Sequence, residues 1–414
     1  MRTRFFLIGM LFCIHPFYSY ADTLQEAMDI VAKQHPMLQM AEKNIESAQG
    51  NLTEQSSYAY NPELSLEPQR RRLNGGGTSN DYYITLSQGI EVGGKQGLRE
   101  QSAQASLNAA SQNRENTQQR LMIEASRAYI TLYFSGQLYD LRSQQRNVLD
   151  KVSHAVTRQL ELGESSQLDA NLAQSAFAST LNATTIANQV LTQSKQRYFI
   201  ALGKVTDSEL IPALVLPKLS LNWQPPADAY NVALKSRPDF LVLHSKLEQS
   251  NAQADLASMA RIPDVTVNAM VAREAGEQLF LLGLTIPFPV LNSHKGAYRT
   301  ALAEKERVNM GLRWSKQQLR YEVQSALDNH SNAIQALSGM ITTHMQENAK
   351  NTIALAQKSY NAGELDLEAL VIHINQGLDA QITALEMIKQ AWLARIRLAE
   401  VLGHPEYILK GTQL

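Results

Sequence analysis

The spacing of apolar residues near the C-terminal end of the chain is that of a helix with one buried face. Apolar residues recur at intervals of three and four: Leu367, Leu370, Ile374, Leu378, Ile382, Leu385, Ile388, Trp392, Ile396 and Ala399. A mean spacing of about 3.6 residues is the α-helical period, so a helix is predicted over 364–402. The matching segment, 165–202, is richer in Ala, Ser and Thr. It predicts a second helix that packs more closely but buries less surface per residue.

Proline is absent from two long blocks, residues 69–211 and 290–404. Because proline breaks a helix interior, these blocks can hold unusually long helices. We predict helices over about 96–162 and 295–362, and a helix of about 65 residues spans roughly 100 Å. This length exceeds a globular core and favours antiparallel coiled-coil packing.

Two hairpin-like intervals precede the long helices. Strands are predicted at about 62–69 and 81–91, around the turn Asn74-Gly75-Gly76-Gly77, and at about 264–273 and 278–287. Alternation of apolar and other residues is clearest in Val265, Val267, Ala269 and Val271, and in Phe280, Leu282, Leu284 and Ile286. Tilted strands of about ten residues match the thickness of an outer membrane.

The two halves of the chain repeat each other. Matching residues are Ala27, Pro36 and Glu46 with Ala229, Pro238 and Glu248; Asn61-Pro62-Glu63 with Ile262-Pro263-Asp264; Leu86-Ser87 with Leu284-Thr285; and Gly163 and Leu202 with Gly363 and Leu402. The offset drifts only between 198 and 202, as a tandem duplication predicts. We therefore divide the chain into a first repeat at 22–210, a Pro-rich linker at 211–226 and a second repeat at 227–414.

Residues 1–21 follow the pattern of a secretory signal peptide, with Arg2 and Arg4 before an apolar run and a small-residue cleavage site ending at Ala21. The single cysteine, Cys13, lies within it, so the mature chain would contain no thiol. No other stretch approaches the roughly 20 apolar residues of a membrane-spanning helix. Export then leads to the periplasm, the outer membrane or the exterior, and only β-strands reach the outer membrane.

Charge and candidate chemistry exclude several classes of protein. The formal net charge is −1, from 38 basic and 39 acidic residues, whereas nucleic-acid binding requires a basic excess or patch. The nine histidines are scattered, without metal-ligand spacing. No nucleophile or acid/base pair has a recognisable spacing, which makes an enzyme the least favoured interpretation. We expect no metal, no cofactor and no nucleic-acid partner.

Four strands cannot close a membrane barrel. An open sheet would leave backbone N–H and C=O groups unpaired in hydrocarbon, at several kcal/mol each. If the strands span the membrane, the chain must oligomerise, and cyclic copies would supply eight, twelve or sixteen strands. Helices that continue from every strand would extend such a barrel as a coiled-coil tube.

The signal peptide, the duplication, the two strands in each half and the long helix that turns at a glycine into a shorter return helix resemble the TolC-type outer membrane factors. The resemblance implies a mainly α fold with a small membrane β part: a homotrimer with a twelve-stranded β-barrel and a long periplasmic α-helical barrel. Two segments, Gly89–Lys95 and Leu284–Asn292, resemble the CzcC-like branch. That branch supplies the outer component of heavy-metal efflux systems driven by inner-membrane pumps of the resistance-nodulation-division (RND) class.

Glycines mark the ends of the long helices. Gly163 and Gly363 are predicted to be left-handed helix caps, and the resemblance implies that their turns form the periplasmic tip, where an adaptor protein binds. Candidate contact residues are Gly163, Glu164, Ser165, Gln167 and Leu168 in the first repeat and Gly363, Glu364, Leu365 and Leu367 in the second.

Candidate gate carboxylates at the tip are Asp169, Asp366 and Glu368. Two interpretations stay open: acidic residues at a helix start complement the helix dipole, or they form a three-fold ring that attracts cations and constricts the pore. TolC-like relatives can carry aspartates six and nine residues after the second glycine, where this chain has Ala369 and Ile372. An acidic ring would therefore use Asp169, Asp366, Glu368 or Glu364.

The chain must also bend where strands become helices. Gly93 and Gly94 would supply unusual backbone angles after the first hairpin, and the phosphate-loop spacing around Lys95 is absent. Pro287 and Pro289 would end the last strand and redirect the chain.

The favoured function is an outer membrane channel of a Gram-negative bacterium, extending into the periplasm. It would passively conduct divalent heavy-metal cations such as cobalt, zinc and cadmium from a periplasmic adaptor and an inner-membrane RND pump to the exterior. An alternative keeps the architecture but carries drugs or a type I secretion substrate. A less favoured one is a soluble periplasmic coiled-coil scaffold.

Overall fold

A computed structural model describes residues 23–72, 75–204 and 214–412 of the 414-residue chain. The predicted signal peptide at 1–21 with Cys13, Asn74 of the first hairpin turn, and residues 211–213 of the predicted linker lie outside the described residues. Across the described ranges, the chain is mainly helical and contains one four-stranded sheet.

The first repeat contains two short helices, a hairpin and two long helices. They are α1 (Leu24–Gln34), α2 (Pro36–Ser56), β1 (Glu63–Arg72), β2 (Thr78–Ile90), α3 (Lys95–Glu161) and α4 (Gln167–Ala201). The second repeat follows the same order with one extra helix: α5 (Ala229–Ser236), α6 (Pro238–Met259), β3 (Val265–Glu274), β4 (Glu277–Thr285), α7 (Lys295–Thr342), α8 (Met345–Asn361) and α9 (Leu367–Leu402). A 3₁₀ turn at Pro405–Ile408 ends the fold.

Proline and capping residues explain where the short helices begin. Both α2 and α6 start at a proline, Pro36 and Pro238, whose fixed φ suits the first helical position. The helix α1 follows Thr23, which forms a reciprocal capping box with Glu26. These ends are therefore encoded locally.

The same packing contact recurs in both repeats. Gly203, after α4, lies so close to the start of α2 that a Cβ there would be 2.7 Å from a side-chain atom of Pro36. Gly403, after α9, would place a Cβ 2.9 Å from the backbone of Ser236, at the end of α5. Both glycines have left-handed backbone angles, so each return helix ends in the same way against the same corner of its repeat.

The second long helix is broken, so the prediction of a single helix over 295–362 is wrong. Between α7 and α8, His344 has a φ of +48°. The hydroxyls of Thr342 and Thr343 donate to carbonyls four residues earlier, and such bonds bend helices. The side-chain amide of Asn348 then donates to the Thr343 carbonyl at 3.1 Å. A block without proline therefore still contains a helix break.

The four strands form one antiparallel sheet in the order β1-β2-β3-β4. The central β2–β3 pairing joins the two repeats and places Ile90 opposite Val265. The β3–β4 turn consists of Ala275 and Gly276, both with positive φ, as a tight two-residue hairpin requires. Strands β1 and β4 are the edges of the sheet, and their outer backbone groups have no strand partner in the described chain.

The main core lies where α1, α3, α4 and α9 meet. Tyr129 and Tyr198 are fully buried and pack edge to face, with ring centroids 5.9 Å apart. Trp392 and Ile396 of α9 belong to the same cluster. Towards the far end of the long helices, a separate cluster uses small residues such as Ala170 and Ala173, which lets the helices approach closely.

Candidate functional site

One face of the sheet is apolar and exposed. Neighbouring strands align their apolar residues: Leu66 lies opposite Ile84, which lies opposite Val271, which lies opposite Phe280. The large exposed apolar residues of this face are Leu64, Leu66, Tyr82, Ile84, Leu86, Ile90, Val267, Val271, Phe280, Leu282 and Leu284. Arg70, Arg72, Arg273 and Gln278 lie on the same face near the hairpin turns. A contiguous apolar sheet face of this kind needs a lipid or protein partner.

The opposite face of the sheet is mostly polar. Its members on β1, β2 and β3 include Glu63, Ser65, Glu67, Gln69, Thr85, Ser87, Thr266 and Asn268. Met270, Leu279 and Leu281 interrupt it on the β4 side. A sheet that is apolar outside and polar inside has the alternation expected of a transmembrane barrel wall.

An ionic cluster joins the two hairpins at the end of the sheet far from the helices. Arg71 of β1 contacts Asp81 at 2.7 Å and Glu274 at 2.5 Å. The Asp81 carboxylate also accepts the backbone N–H of Ala275 at 2.9 Å. The cluster could not be predicted from the sequence, because Glu274 is 203 residues from Arg71 and only the β2–β3 pairing brings the two hairpins together.

A second ionic cluster lies where the sheet becomes helical. The Lys95 ammonium, at the first position of α3, is 2.7 Å from Asp264 Oδ1 and donates to the Ile262 carbonyl at 2.7 Å. Asp264 also accepts the Tyr60 hydroxyl at 2.6 Å and the Val92 backbone N–H at 3.1 Å. This cluster fixes the exit of the first hairpin against the entry of the second.

The environment of this junction shifts two pKa values. Desolvation opposes ionisation of Asp264, but the hydrogen bonds from Lys95, Tyr60 and Val92 outweigh it and lower the pKa of the carboxyl. The hydrogen bond to Asp264 and burial together raise the pKa of Tyr60 to about 12. The carboxylate therefore stays ionised and the phenol stays protonated at neutral pH.

The two bends between strand and helix are built differently. Gly93 and Gly94 have φ of +86° and +72°, which places the turn in the left-handed region that glycine tolerates. Pro287 and Pro289 lie in an extended exposed segment between β4 and α7. The apolar residues beside them, Phe288, Val290 and Leu291, are 83–101% exposed.

The predicted tip glycines close two similar turns. Gly163 and Gly363 both have φ of +75°, and a Cβ on either would meet nothing within 4 Å. The backbone N–H of Glu164 donates to the Gln159 carbonyl at 2.8 Å, and that of Glu364 donates to the Ser359 carbonyl at 2.9 Å. These are the bonds of a glycine-ended helix cap. The glycines are therefore required by backbone conformation and not by space.

Two of the three candidate gate carboxylates cap helices. Asp169 forms a capping box with Ser166, whose hydrogen bonds lower the pKa of the carboxyl. Asp366 accepts the backbone N–H of Ala369 at 2.8 Å, at the start of α9. Glu368, in the first turn of α9, is exposed and has no side-chain partner in the described chain.

The remaining tip candidates separate into exposed and buried side chains. Leu168 is 77% exposed, whereas Leu367 is 6% exposed and belongs to the apolar cluster between the two turns. The Leu367 side chain therefore packs between the two turns and is not available for contact with another protein. Ser165 and Leu365 are half-buried, and Gln167 bonds Asn171 of its own helix. The shared cluster brings the two turns together.

A buried arginine is the largest feature that the sequence analysis missed. Arg395 of α9 is 1% exposed and donates to the carbonyls of Tyr407 at 2.8 Å and Lys410 at 2.6 Å. Its guanidinium stacks on the Trp223 ring and lies 3.5 Å from His330 Nε2. Burial lowers the pKa of Arg395 to about 9 and, with the arginine charge, that of His330 to about 4. The cluster fastens the linker and the C-terminal turn to α7 and α9.

Within residues 23–72, 75–204 and 214–412, no three or more His, Cys, Asp or Glu side chains are grouped so that they could hold a metal ion. No helix in the same ranges combines the length and apolar character needed to cross a membrane.

A duplicated chain whose sheet has an exposed apolar face and continues into a helix of roughly 100 Å has the architecture expected of a channel-forming membrane protein. Residues 229–404 match the family of outer membrane efflux proteins, and the fold extends the likeness to the first repeat. The family match lies within the second repeat, and the chain as a whole is similar to outer membrane efflux channels.

Individual relatives match most of the chain. The cobalt-zinc-cadmium resistance protein CzcC of Cupriavidus metallidurans is 21% identical over 383 residues, covering 92% of this chain and 86% of the relative. The outer membrane efflux protein BepC of Brucella suis is 21% identical over 371 residues, covering 86% and 76%. The crystal structure of the Campylobacter jejuni CmeC outer membrane channel superposes with a TM-score of 0.78 at 15% identity, over 92% of this chain and 85% of that one.

Proposed function

We propose that the chain forms a homotrimer that conducts divalent heavy-metal cations across the outer membrane of a Gram-negative bacterium. Three copies of the four-stranded sheet would close a twelve-stranded barrel in the lipid. The long helices would continue it into the periplasm as a tube that meets an adaptor protein and an inner-membrane RND pump. Transport through the tube is passive, because the driving force comes from the pump.

The two-sided sheet with unpaired edges carries this proposal. Its apolar face suits lipid and its polar face suits a water-filled lumen. Among the described residues, the outer edges of β1 and β4 have no strand partners, and lipid cannot satisfy exposed backbone groups. Cyclic assembly removes both edges, because β4 of one copy then pairs with β1 of the next.

Carboxylates on the polar face of the sheet support cations as the cargo. Glu67 lies on the polar face of β1 and is exposed, so three copies would place a ring of carboxylates around the lumen. Such rings raise the local concentration of cations without binding them tightly, and weak binding is what conduction requires. Similarity to CzcC over 92% of the chain supports the same cargo class.

A multidrug channel is the second candidate, because BepC, which is named an outer membrane efflux protein, has the same 21% identity as CzcC. A type I secretion channel would use the same architecture. A soluble scaffold is the third candidate. Fractionation separates it, since the proposed channel would be recovered with the outer membrane and a scaffold would remain in the periplasmic extract.

Growth of a deletion strain tests the cargo. The strain, with and without the restored gene, is grown with zinc, cobalt, cadmium, nickel, copper and silver, and in parallel with bile salts, dyes and antibiotics. Sensitivity to particular divalent metals, reversed by the gene, is the expected result. Sensitivity confined to organic compounds would overturn the metal assignment and leave the channel architecture standing.

A further inference from the structure

The Lys95–Asp264 ion pair joins the two repeats within one chain, and the duplication implies a second pair of the same kind. Lys95 is the first residue of α3, and Asp264 directly precedes β3. An offset of 200 relates Lys95 to Lys295, the first residue of α7. An offset of 201 relates Asp264 to Glu63, the first residue of β1. The counterpart pair is therefore Lys295 with Glu63.

The backbone places the two lysines equivalently. The residue before Lys95 is Gly94, with φ +72° and ψ +21°, and the residue before Lys295 is His294, with φ +54° and ψ +17°. Both helices thus leave their hairpins through a left-handed residue. His294 adopts this conformation without being a glycine, which is uncommon. Both lysines therefore start their helices with the same local geometry.

The two counterpart residues have no side-chain partners among the described residues. Lys295 and Glu63 are both exposed, and neither makes a side-chain hydrogen bond or an ion pair in the described residues. Glu63 begins one edge strand of the sheet, and Lys295 follows the other edge strand. Three strand spacings of about 4.8 Å separate those edges, beyond the reach of a direct ion pair.

We propose that Lys295 of one copy of the chain forms an ion pair with Glu63 of the next copy. The inference rests on the cyclic assembly in the proposed function and specifies its interface. Around the ring, pairs within a chain, Lys95 with Asp264, alternate with pairs between chains. The carboxylate and the ammonium are complementary in charge, as their internal counterparts are.

Strand register supports this assignment. Leu86 of β2 lies opposite Ala269 of β3. Leu86 corresponds to Leu284 of β4 at an offset of 198, and Ala269 corresponds to Pro68 of β1 at an offset of 201. The equivalent pair between copies is therefore Leu284 opposite Pro68 of the next copy. Both of these residues lie on the apolar face. With this β4–β1 register, the apolar face continues from one copy to the next, as a closed sheet requires. A shift of one residue would place apolar residues of one strand on the polar face of the other.

The helices next to the proposed contact between copies also have surfaces that are exposed in one repeat and buried in the other. Met40 of α2 is 67% exposed, whereas its counterpart at an offset of 202, Val242 of α6, is 9% exposed. Leu302 of α7 is 41% exposed, whereas its counterpart at an offset of 200, Ser102 of α3, is 8% exposed. In the chain, α3 packs on α6. The uncovered surfaces of α7 and α2 are therefore the ones that a second copy of this chain would bury.

Cysteine cross-linking tests the pair in the full chain in outer membranes. The chain has one cysteine, Cys13, within the predicted signal peptide, so introduced cysteines would be the thiols of the mature protein. The variant Glu63→Cys with Lys295→Cys should give covalent dimers and trimers with a short bismaleimide. The matched control is Glu67→Cys with Lys295→Cys, because Glu67 lies on the same face about 13 Å farther along β1 and should link poorly.

Charge reversal provides a test that does not depend on introduced cysteines. Lys295→Glu or Glu63→Lys alone should lower the temperature at which the oligomer dissociates in detergent, and the double reversal should restore it. Lys95→Glu with Asp264→Lys is the comparison within one chain. This double reversal should not restore stability, because a carboxylate at position 95 cannot donate to the Ile262 carbonyl and an ammonium at position 264 cannot accept the Val92 N–H.

The possible results distinguish a failure of the Lys295–Glu63 pair from a failure of the proposed channel. Cross-linked trimers together with rescue by the double reversal support the pair. Intact trimers without links between positions 63 and 295, or with links no more abundant than those of the Glu67 control, overturn the pair and leave the channel standing. A chain that stays monomeric in the membrane overturns both.

Discussion

The two repeats contain the same elements in the same order, but they differ in how the long helix meets its return helix. In the first repeat, α3 runs unbroken for 67 residues. In the second, helices of 48 and 17 residues meet at His344. Position 177 in α4 is Phe, whereas its counterpart in α9 is Gly377. A Cβ on Gly377 would be 2.5 Å from Ile353 Cγ1 of α8. The break and the glycine together allow α8 to approach α9 more closely than a straight helix beside a phenylalanine could.

A second difference lies halfway along the helices. The first repeat has Ile130, fully buried in an apolar core, whereas the second has His330 at the same place. Lys195 of the first repeat corresponds to the buried Arg395 of the second. The two repeats therefore share the order of their elements, but only the second has a buried arginine at this place that binds the linker and the C-terminal turn.

The largest effect is expected from Arg395→Met. The substitution leaves the carbonyls of Tyr407 and Lys410 without their donor and exposes one face of Trp223 to an apolar side chain. We expect a loss of about 3 kcal/mol in unfolding free energy, measured by urea denaturation. Arg397→Met is the matched control, because Arg397 is half exposed and bonds only Glu400. Equal losses in the two variants would contradict the anchor.

Gly377→Phe imports the residue of the first repeat into the second. The side chain would overlap Ile353 and the Ala349 carbonyl, so α8 and α9 must separate, at a cost of about 2 kcal/mol. Gly339→Phe is the control, because a Cβ there meets nothing within 4 Å. If thermal unfolding of the Gly377 variant matched that of the Gly339 variant, the close approach would play no part in stability.

The turns of both repeats should respond alike to Gly163→Val and Gly363→Val. A β-branched residue at a φ of +75° costs about 1–2 kcal/mol, and the strain stays within the turn. Export should fall while the trimer persists on native gels. Gly136→Val serves as a control within the interior of α3, where no left-handed angle is required. Unchanged resistance in both turn variants would contradict the assignment of these turns as the periplasmic tip.

His330→Ile should remove a pH dependence that Ile130, the residue at the same place in the first repeat, cannot provide. Burial lowers the pKa of His330 to about 4, whereas an unfolded histidine titrates near 6.5. Between these values the unfolded chain binds more protons, so stability falls as pH falls from about 6.5 to about 4. At pH 5.5 the loss is about 1 kcal/mol, measured against pH 7. The exposed His154→Ile is the control; an identical pH profile in both variants would exclude His330 as the source.

The sequence indicated most of the fold because the responsible signals are local. Proline-free blocks, an apolar period of 3.6 and Gly163 and Gly363 each encode a helix or its end. The break at His344 was missed because threonine hydroxyls, which are compatible with either outcome, bond the preceding carbonyls there. The buried Arg395 was missed because its partners depend on tertiary contacts with Tyr407 and Lys410.

The roles of the candidate residues at the two turns were predicted less completely than the fold. A charged residue at a helix start has the same sequence signature whether it caps the helix or faces a pore, and Asp169 and Asp366 both cap helices. Leu367 continued an apolar stripe, and its burial between the two turns follows from their packing against each other. Which side chains face outward depends on the neighbouring turn, and a single helical pattern does not contain that information.

The unpaired edges of β1 and β4 have a consequence for the kinetics of assembly. In the proposed channel, a lone copy that entered the bilayer would bring two rows of unsatisfied backbone groups with it, at several kcal/mol for each group. A single copy is therefore not expected to insert into the bilayer, and the copies must associate before or during insertion. The rate of appearance of membrane-inserted protein should rise more steeply than in proportion to protomer concentration, and dilution should delay insertion far more than it delays folding of the helices.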